Sequence, residues 1–197
     1  EVHHRIKNNL QGITGILRQF AKKHPETAET INQAIGQVQG ISVIHGLQGR
    51  AVTASVRLCE LTGAISEEVQ NLWQTPVAFH VPDGWQPCVL AESEAVPIAL
   101  VLNELILNAV KHRDKTLGNV RIALQKGHRP DIVQVSIHNP GLFAGGHVGA
   151  SGAHSGLQLI AALMPRHGAH LVREQQGDMV ITMLELASPV ISLDSME

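Results

Sequence analysis

Two stretches carry residues whose types and spacing can do chemistry. The first is Glu1-Val2-His3-His4-Arg5-Ile6-Lys7-Asn8-Asn9-Leu10-Gln11, a histidine pair set in a basic, amide-rich, helix-forming run. A neutral imidazole is a good nucleophile near pH 7 because its pKa lies close by. The second is Leu102-Asn103-Glu104-Leu105-Ile106-Leu107-Asn108-Ala109-Val110-Lys111-His112. Asn108 follows Glu104 by one helical turn, so the two share a face, with Asn103 and Lys111 close by. A hard cation such as Mg²⁺ takes oxygen ligands, typically one or two from protein and the rest from phosphates and water. An Asn carbonyl oxygen beside a Glu meets that need, and a nearby lysine neutralises phosphate charge. One stretch offers an acceptor imidazole and the other a way to hold a nucleotide. Taken singly, each also reads as a solvated or capping helix segment.

Two glycine segments strengthen the nucleotide reading. Val135-Ser136-Ile137-His138-Asn139-Pro140-Gly141 ends an alternating run with a polar side chain and a tight turn. Gly152-Ala153-His154-Ser155-Gly156-Leu157-Gln158-Leu159 leads into a helix. Glycines just before a helix let backbone N–H groups approach an anion, and the helix N-terminus adds a favourable dipole. A lone glycine loop says little, but one that follows a strand and an Asn/Glu helix says more.

The elements that must position these residues follow from periodicity. Val2, Ile6, Leu10, Ile13, Leu17 and Phe20 recur at helical spacing, Pro25 breaks the run, and Ile31, Ile35, Val38, Ile41 and Ile44 repeat it. The first fifty residues therefore read as a helical hairpin whose apolar stripe is buried when two copies pair into a four-helix bundle, which predicts a homodimer. Residues 46–55 read as a linker, 56–73 as a helix, 76–82 as a strand between prolines, and 94–112 as a long helix. Alternation predicts strands at 118–125 and 132–137, antiparallel across the turn at 127–130. A mobile glycine-rich loop is expected at 141–156, a helix at 155–166, and closing strands at 169–173 and 179–186; the tail from Ser188 has no clear period. The fold class is α+β: a hairpin domain at 1–50, then a sandwich of an antiparallel sheet with helices on one face at 51–188, then a tail at 189–197.

Composition bounds the rest. A net charge of −2 with dispersed basic residues argues against nucleic acid as the main partner. Cys59 and Cys88 have no metal or redox spacing, and a reducing, cytoplasmic setting fits. The apolar run from Ala95 to Val110 is interrupted by Asn103, Glu104 and Asn108, so no membrane span is expected in this fragment, and no signal peptide is visible. A start directly at the histidine motif predicts a fragment of a longer protein with a sensor domain upstream. Most of the twelve histidines need no special role; context singles out the first two.

In these motifs the chain resembles the catalytic core of a two-component sensor histidine kinase. The run Glu1 to Gln11 is similar to the phosphoacceptor box of the HWE-related subfamily, where His-Arg-x-Lys-Asn is typical. The run Asn103 to His112 resembles the family's N box, and Asn139-Pro140-Gly141 and 152–159 resemble its two glycine boxes. The likeness covers nearly the whole chain, in order, and the family's ATP-binding domain has the Bergerat (GHKL) fold shared with gyrase, Hsp90 and MutL. The resemblance implies ATP and Mg²⁺ as cofactors, His4 as the phosphorylated residue with His3 the alternative, and Asn108 as the Mg²⁺ ligand. Glu104, counted with His4 and Asn8 among the catalytic residues, lines the phosphate side with Lys111 and His112. Asn139 stands where an aspartate usually accepts from the adenine amino group, and Gly141 keeps the turn beside the base. Gly152, Gly156 and Leu157 flank the triphosphate from the lid. Asn8, one turn after His4, either positions water for dephosphorylation or is simply an exposed helix residue, and Glu1 reads as an exposed helix residue rather than a base. The implied activity is autophosphorylation, then transfer to an aspartate on a response-regulator receiver domain. Two departures, Asn139 for aspartate and His154-Ser155 for the commoner Gly-Leu, point to the rival reading of a degenerate kinase that acts as a dimeric scaffold. An ATPase or serine kinase of the same fold has no need of the His-His-Arg hairpin.

Overall fold

The structure, a computed structural model, describes residues 2–49, 55–142 and 153–193, with the side chains of all but His4, Ala153, His154 and Ser155. Glu1, Gly152, half of the expected linker (residues 50–54) and most of the expected glycine-rich loop (residues 143–152) lie outside the described residues.

The hairpin forms as periodicity predicts. Helices α1 (Val2–Lys23) and α2 (Ala28–Gln48) are joined by a 3₁₀ turn over Pro25–Thr27. Proline at the start of that turn has no N–H to continue α1, and the His24 carbonyl accepts from both the Thr27 amide and its hydroxyl. The predicted stripe of α1 splits. Ile6, Leu10 and Leu17 are half-buried, whereas Val2, Ile13 and Phe20 face outward with 67%, 46% and 53% of their surface exposed, joined there by Ile16, outside the predicted stripe, at 60%. Helix α2 is the inner helix, with Ile35 and Ile44 fully buried.

The remainder is an α/β sandwich. In chain order it runs β1 (Val56–Arg57), α3 (Leu58–Trp73), β2 (Val77–His80), β3 (Cys88–Leu90), α4 (Glu92–His112), β4 (Val120–Lys126), β5 (Val133–Pro140), α5 (Ala153–Leu163), β6 (Ala169–Gln176), β7 (Met179–Leu186) and β8 (Ile191–Leu193). The main sheet has the order β2-β4-β5-β7-β6. It is mixed rather than antiparallel, because β2 and β4 run parallel. They are joined through α4, and a helical crossover returns the chain in the same direction. A second sheet, β1-β3-β8, was not expected: its strands are two or three residues long, too short for alternation to show. Strand β8 also corrects the tail, since residues 191–193 pair with β3 and belong to the sandwich.

Helices α3 and α4 bury Leu58, Leu61, Ile65, Ile98, Leu102 and Ile106 against Ile122, Leu124, Ile137 and Leu184 of the sheet. Helix α4 has the length and composition of a membrane span, but 67% of that window is buried here and it carries buried Asn103 and Glu104. Cys88 packs in the same core, where burial, then the neighbouring Cys59, pushes its thiol up to about 12.

Candidate functional site

The second half of α4 gathers most of the residues singled out from sequence. Asn108 Nδ2 donates to Glu104 Oε1 at 3.1 Å, the one-turn pairing their spacing predicts. Glu104 is fully buried, and its other oxygen accepts from Gln37 Nε2 of α2 at 3.0 Å. Gly156, in the opening turn of α5, lies against the same carboxylate. A Cβ there would come 2.1 Å from Glu104 Oε1 and 3.4 Å from Asn108 Nδ2, so no side chain fits without moving Glu104. The structure thus brings together Glu104, Asn108 and Gly156. Lys111, one turn beyond Leu107, sits 5.2 Å over the Trp73 ring and 3.6 Å from Glu29 of α2. His112 is exposed, and so is Leu157 at 46%.

The end of β5 is stitched to the end of α4. Asn139 is buried, and with its amide nitrogen turned toward the helix it donates to Ala109 O at 2.9 Å and Pro140 O at 3.3 Å. The Asp114 amide donates to Pro140 O at 2.7 Å, and the Gly141 amide to Asp178 O at 2.8 Å. Gly141 has φ +139, and a Cβ there would press to 3.4 Å on His112 O and Asp114 N. Only glycine adopts that backbone cheaply, which is why the turn carries one. The Asp114 carboxyl, held below the usual range by the Thr116 hydroxyl and amide, closes the same corner.

At the other end of the hairpin His3 faces α2. Its Nδ1 lies 3.3 Å from Nδ1 of His45, with ring centroids 5.5 Å apart and a 33° tilt. Two imidazoles bond only when one donates and the other accepts, so the pair holds one proton between these atoms. Burial, then the His3 charge, lowers the His45 pKa. The His4 side chain lies outside the described residues, but its place on α1 is about 100° round from His3 and one turn before exposed Asn8. Sequence reasoning missed His45 and Gln37, because neither sits in a motif and each acts on a partner far along the chain. A groove of about 530 Å³ between α1, α2 and α3, lined in part by Lys7, Arg18, Gln39 and Glu68, contains none of the predicted site residues.

The HisKA_2 histidine kinase family model matches residues 1–72. The sensor histidine kinase PdtaS of Mycobacterium tuberculosis is 25% identical over 145 residues, covering 72% of this chain and 29% of that protein. PdtaS of Mycolicibacterium smegmatis is 28% identical over 172 residues, covering 83% and 34%. The chain thus spans about a third of the length of these relatives. Among solved structures, the histidine kinase domain of the Erythrobacter litoralis EL346 blue-light activated histidine kinase superposes with a TM-score of 0.61 at 17% identity, covering 95% of this chain and 89% of that one. Full-length ShkA in complex with AMPPNP superposes with a TM-score of 0.55 at 18% identity, covering 96% and 45%. The family match over the first 72 residues, the curated relatives and the shared fold together support a sensor histidine kinase catalytic core.

Proposed function

We propose that the chain is an ATP-dependent protein-histidine kinase that phosphorylates itself on His4 and passes the phosphoryl group to an aspartate of a response-regulator receiver domain. One observation carries the reading: Glu104, Asn108 and Gly156, from two separate motifs, pack together where α4 meets α5.

These residues fit a magnesium nucleotide. With its nitrogen turned to Glu104, Asn108 has its oxygen on the opposite side, the kind of ligand Mg²⁺ takes. Gly156 lets the first turn of α5 pack directly on Glu104 and Asn108, and the N–H groups and dipole at a helix start favour phosphate. Mg²⁺ held by Asn108 would supply charge neutralisation, and Lys111 adds a positive charge nearby. Asn139 and Gly141 border the base, His112 the phosphate side, and Gly152 and Leu157 the lid. Glu104 works beside the transferred group. The imidazole of His4 attacks the γ-phosphorus in line, the bond to the bridging oxygen breaks, and ADP leaves. Placement carries most of such a rate. Asn8 positions the water that later hydrolyses the phosphohistidine. A second copy of the hairpin covers Val2, Ile13, Ile16 and Phe20 in a dimeric four-helix bundle working in the cytoplasm.

Incubation with Mg²⁺-ATP is expected to leave acid-labile, base-stable phosphate on the chain, and His4→Ala to remove it. Equal labelling of His4→Ala would reassign the acceptor. A scaffold without turnover is favoured by one feature: Asn139 offers no carboxylate to the adenine amino group and spends its amide nitrogen on Ala109. Titration with AMPPNP separates the two, since no binding supports the scaffold.

A further inference from the structure

Helix α2 and the nucleotide proposed above would use the same side chains of α4. Both oxygens of Glu104 are engaged, one by Gln37 and the other by Asn108. Lys111 is drawn to Glu29, also on α2. Around Gln37, α2 presents Gly36-Gln37-Val38-Gln39-Gly40, whose glycines let the helices approach closely. A Cβ at Gly36 would lie 3.4 Å from Asn103 Nδ2 and 3.7 Å from Leu107 Cδ2. One at Gly40 would lie 3.6 Å from Asn103 Cβ and Leu100 Cδ2. Both are ordinary contacts, so alanine fits at either position and anything longer drives into α4.

The seam also carries a defect. Asn103 is 2% exposed, aims its Nδ2 at Gly36, and finds no hydrogen-bond partner for it among the described residues. A buried donor left unpaired is destabilising, and water would satisfy it once the helices part. The arrangement is not the transfer geometry either. Gln37, which holds Glu104, lies eight residues from His45 on α2, about 12 Å along the axis from the end of the hairpin where His3 sits.

We propose that docking of α2 on α4 and binding of a magnesium nucleotide compete for Glu104 and Lys111, so that Gln37, Gly36 and Gly40 form a latch that withholds the nucleotide site until the hairpin lets go. The proposal rests on the nucleotide-site reading. A ligand that binds the undocked state better shifts the equilibrium toward it, and by reciprocity whatever weakens docking strengthens binding.

The test uses the full 197-residue chain and two variants, Gly40→Leu, which wedges the helices apart, and Gln37→Met, which keeps volume and removes the hydrogen bond. Circular dichroism verifies folding, and if Gly40→Leu fails to fold Gln37→Met carries the comparison. Titration with AMPPNP and Mg²⁺ is expected to give binding about fivefold or more tighter than wild type. In the wild type, AMPPNP is expected to speed hydrogen exchange of the α2 amides around 34–42. Equal or weaker binding by folded variants, or unchanged α2 exchange at saturating AMPPNP, overturns the latch while leaving the nucleotide site standing. No binding by wild type or variants overturns the nucleotide site and the latch with it.

Discussion

The two faces of the hairpin are built on opposite plans. The inner face, on α2, has fully buried Ile35 and Ile44 around a glycine-and-amide seam that touches the N-box helix. The outer face, on α1, sets Val2, Ile13, Ile16 and Phe20 in the open, while Thr14 is the residue α1 buries among those described. One face is closed by the chain itself through contacts that are part apolar and part polar; the other is apolar and unclosed. The difference teaches that amphipathicity alone did not say which way α1 would face. The neighbours of α2 took the inner position, and the strongest stripe was left for another surface.

The largest effect that tests this contrast is on stability. Ile44→Ala removes a fully buried side chain from the core and is expected to cost about 2–5 kcal/mol in urea unfolding. Ile16→Ala, at a side chain 60% exposed, should change the monomer by about 0.5 kcal/mol or less. Comparable losses at both sites would break the contrast. Next comes assembly. Replacing Ile13 and Ile16 together by Glu is expected to shift the chain from dimer to monomer in light scattering, with its far-UV circular dichroism intact; an unchanged mass would mean that the outer stripe does not join two copies.

A smaller effect concerns pH. The His45 pKa is depressed from 6.5, so the unfolded chain holds that proton more readily than the folded one. Stability from this site is fully present above the unfolded pKa and declines as pH falls below it. Urea midpoints measured from pH 7.5 down to 5.5 should fall less steeply for His45→Gln than for wild type. The smallest expected change is at Glu29→Gln. Its carboxylate is 83% exposed, and such ion pairs contribute about 0–1 kcal/mol, so thermal unfolding should move little and less still at high salt.

Helices were the legible part of the sequence. The runs that became α1, α2 and α4 are long enough for apolar spacing to declare itself, and Glu104 with Asn108 paired as their spacing required. Strands β3 and β8 were hidden by their length, and the parallel β2–β4 pair by the crossover that makes it. Asn139 was expected to offer its oxygen to a base; its packing against the Ala109 carbonyl arises only when β5 meets α4. Gln37 and His45 carry no local signature at all, because each takes its role from a partner some forty or more positions away. Motifs displayed the candidate groups, and the fold alone disclosed what holds them.

The small sheet has a mechanical consequence. Strand β1 follows the hairpin in the chain, β8 is the last strand, and β3 lies between them, so the two edges are two strand spacings, about 10 Å, apart. Force entering through the hairpin and force entering beyond Leu193 would therefore load opposite edges of the same three short strands. Their middle strand runs directly into α4, so a tug on either edge reaches the helix bearing Glu104 and Asn108 without crossing the main sheet.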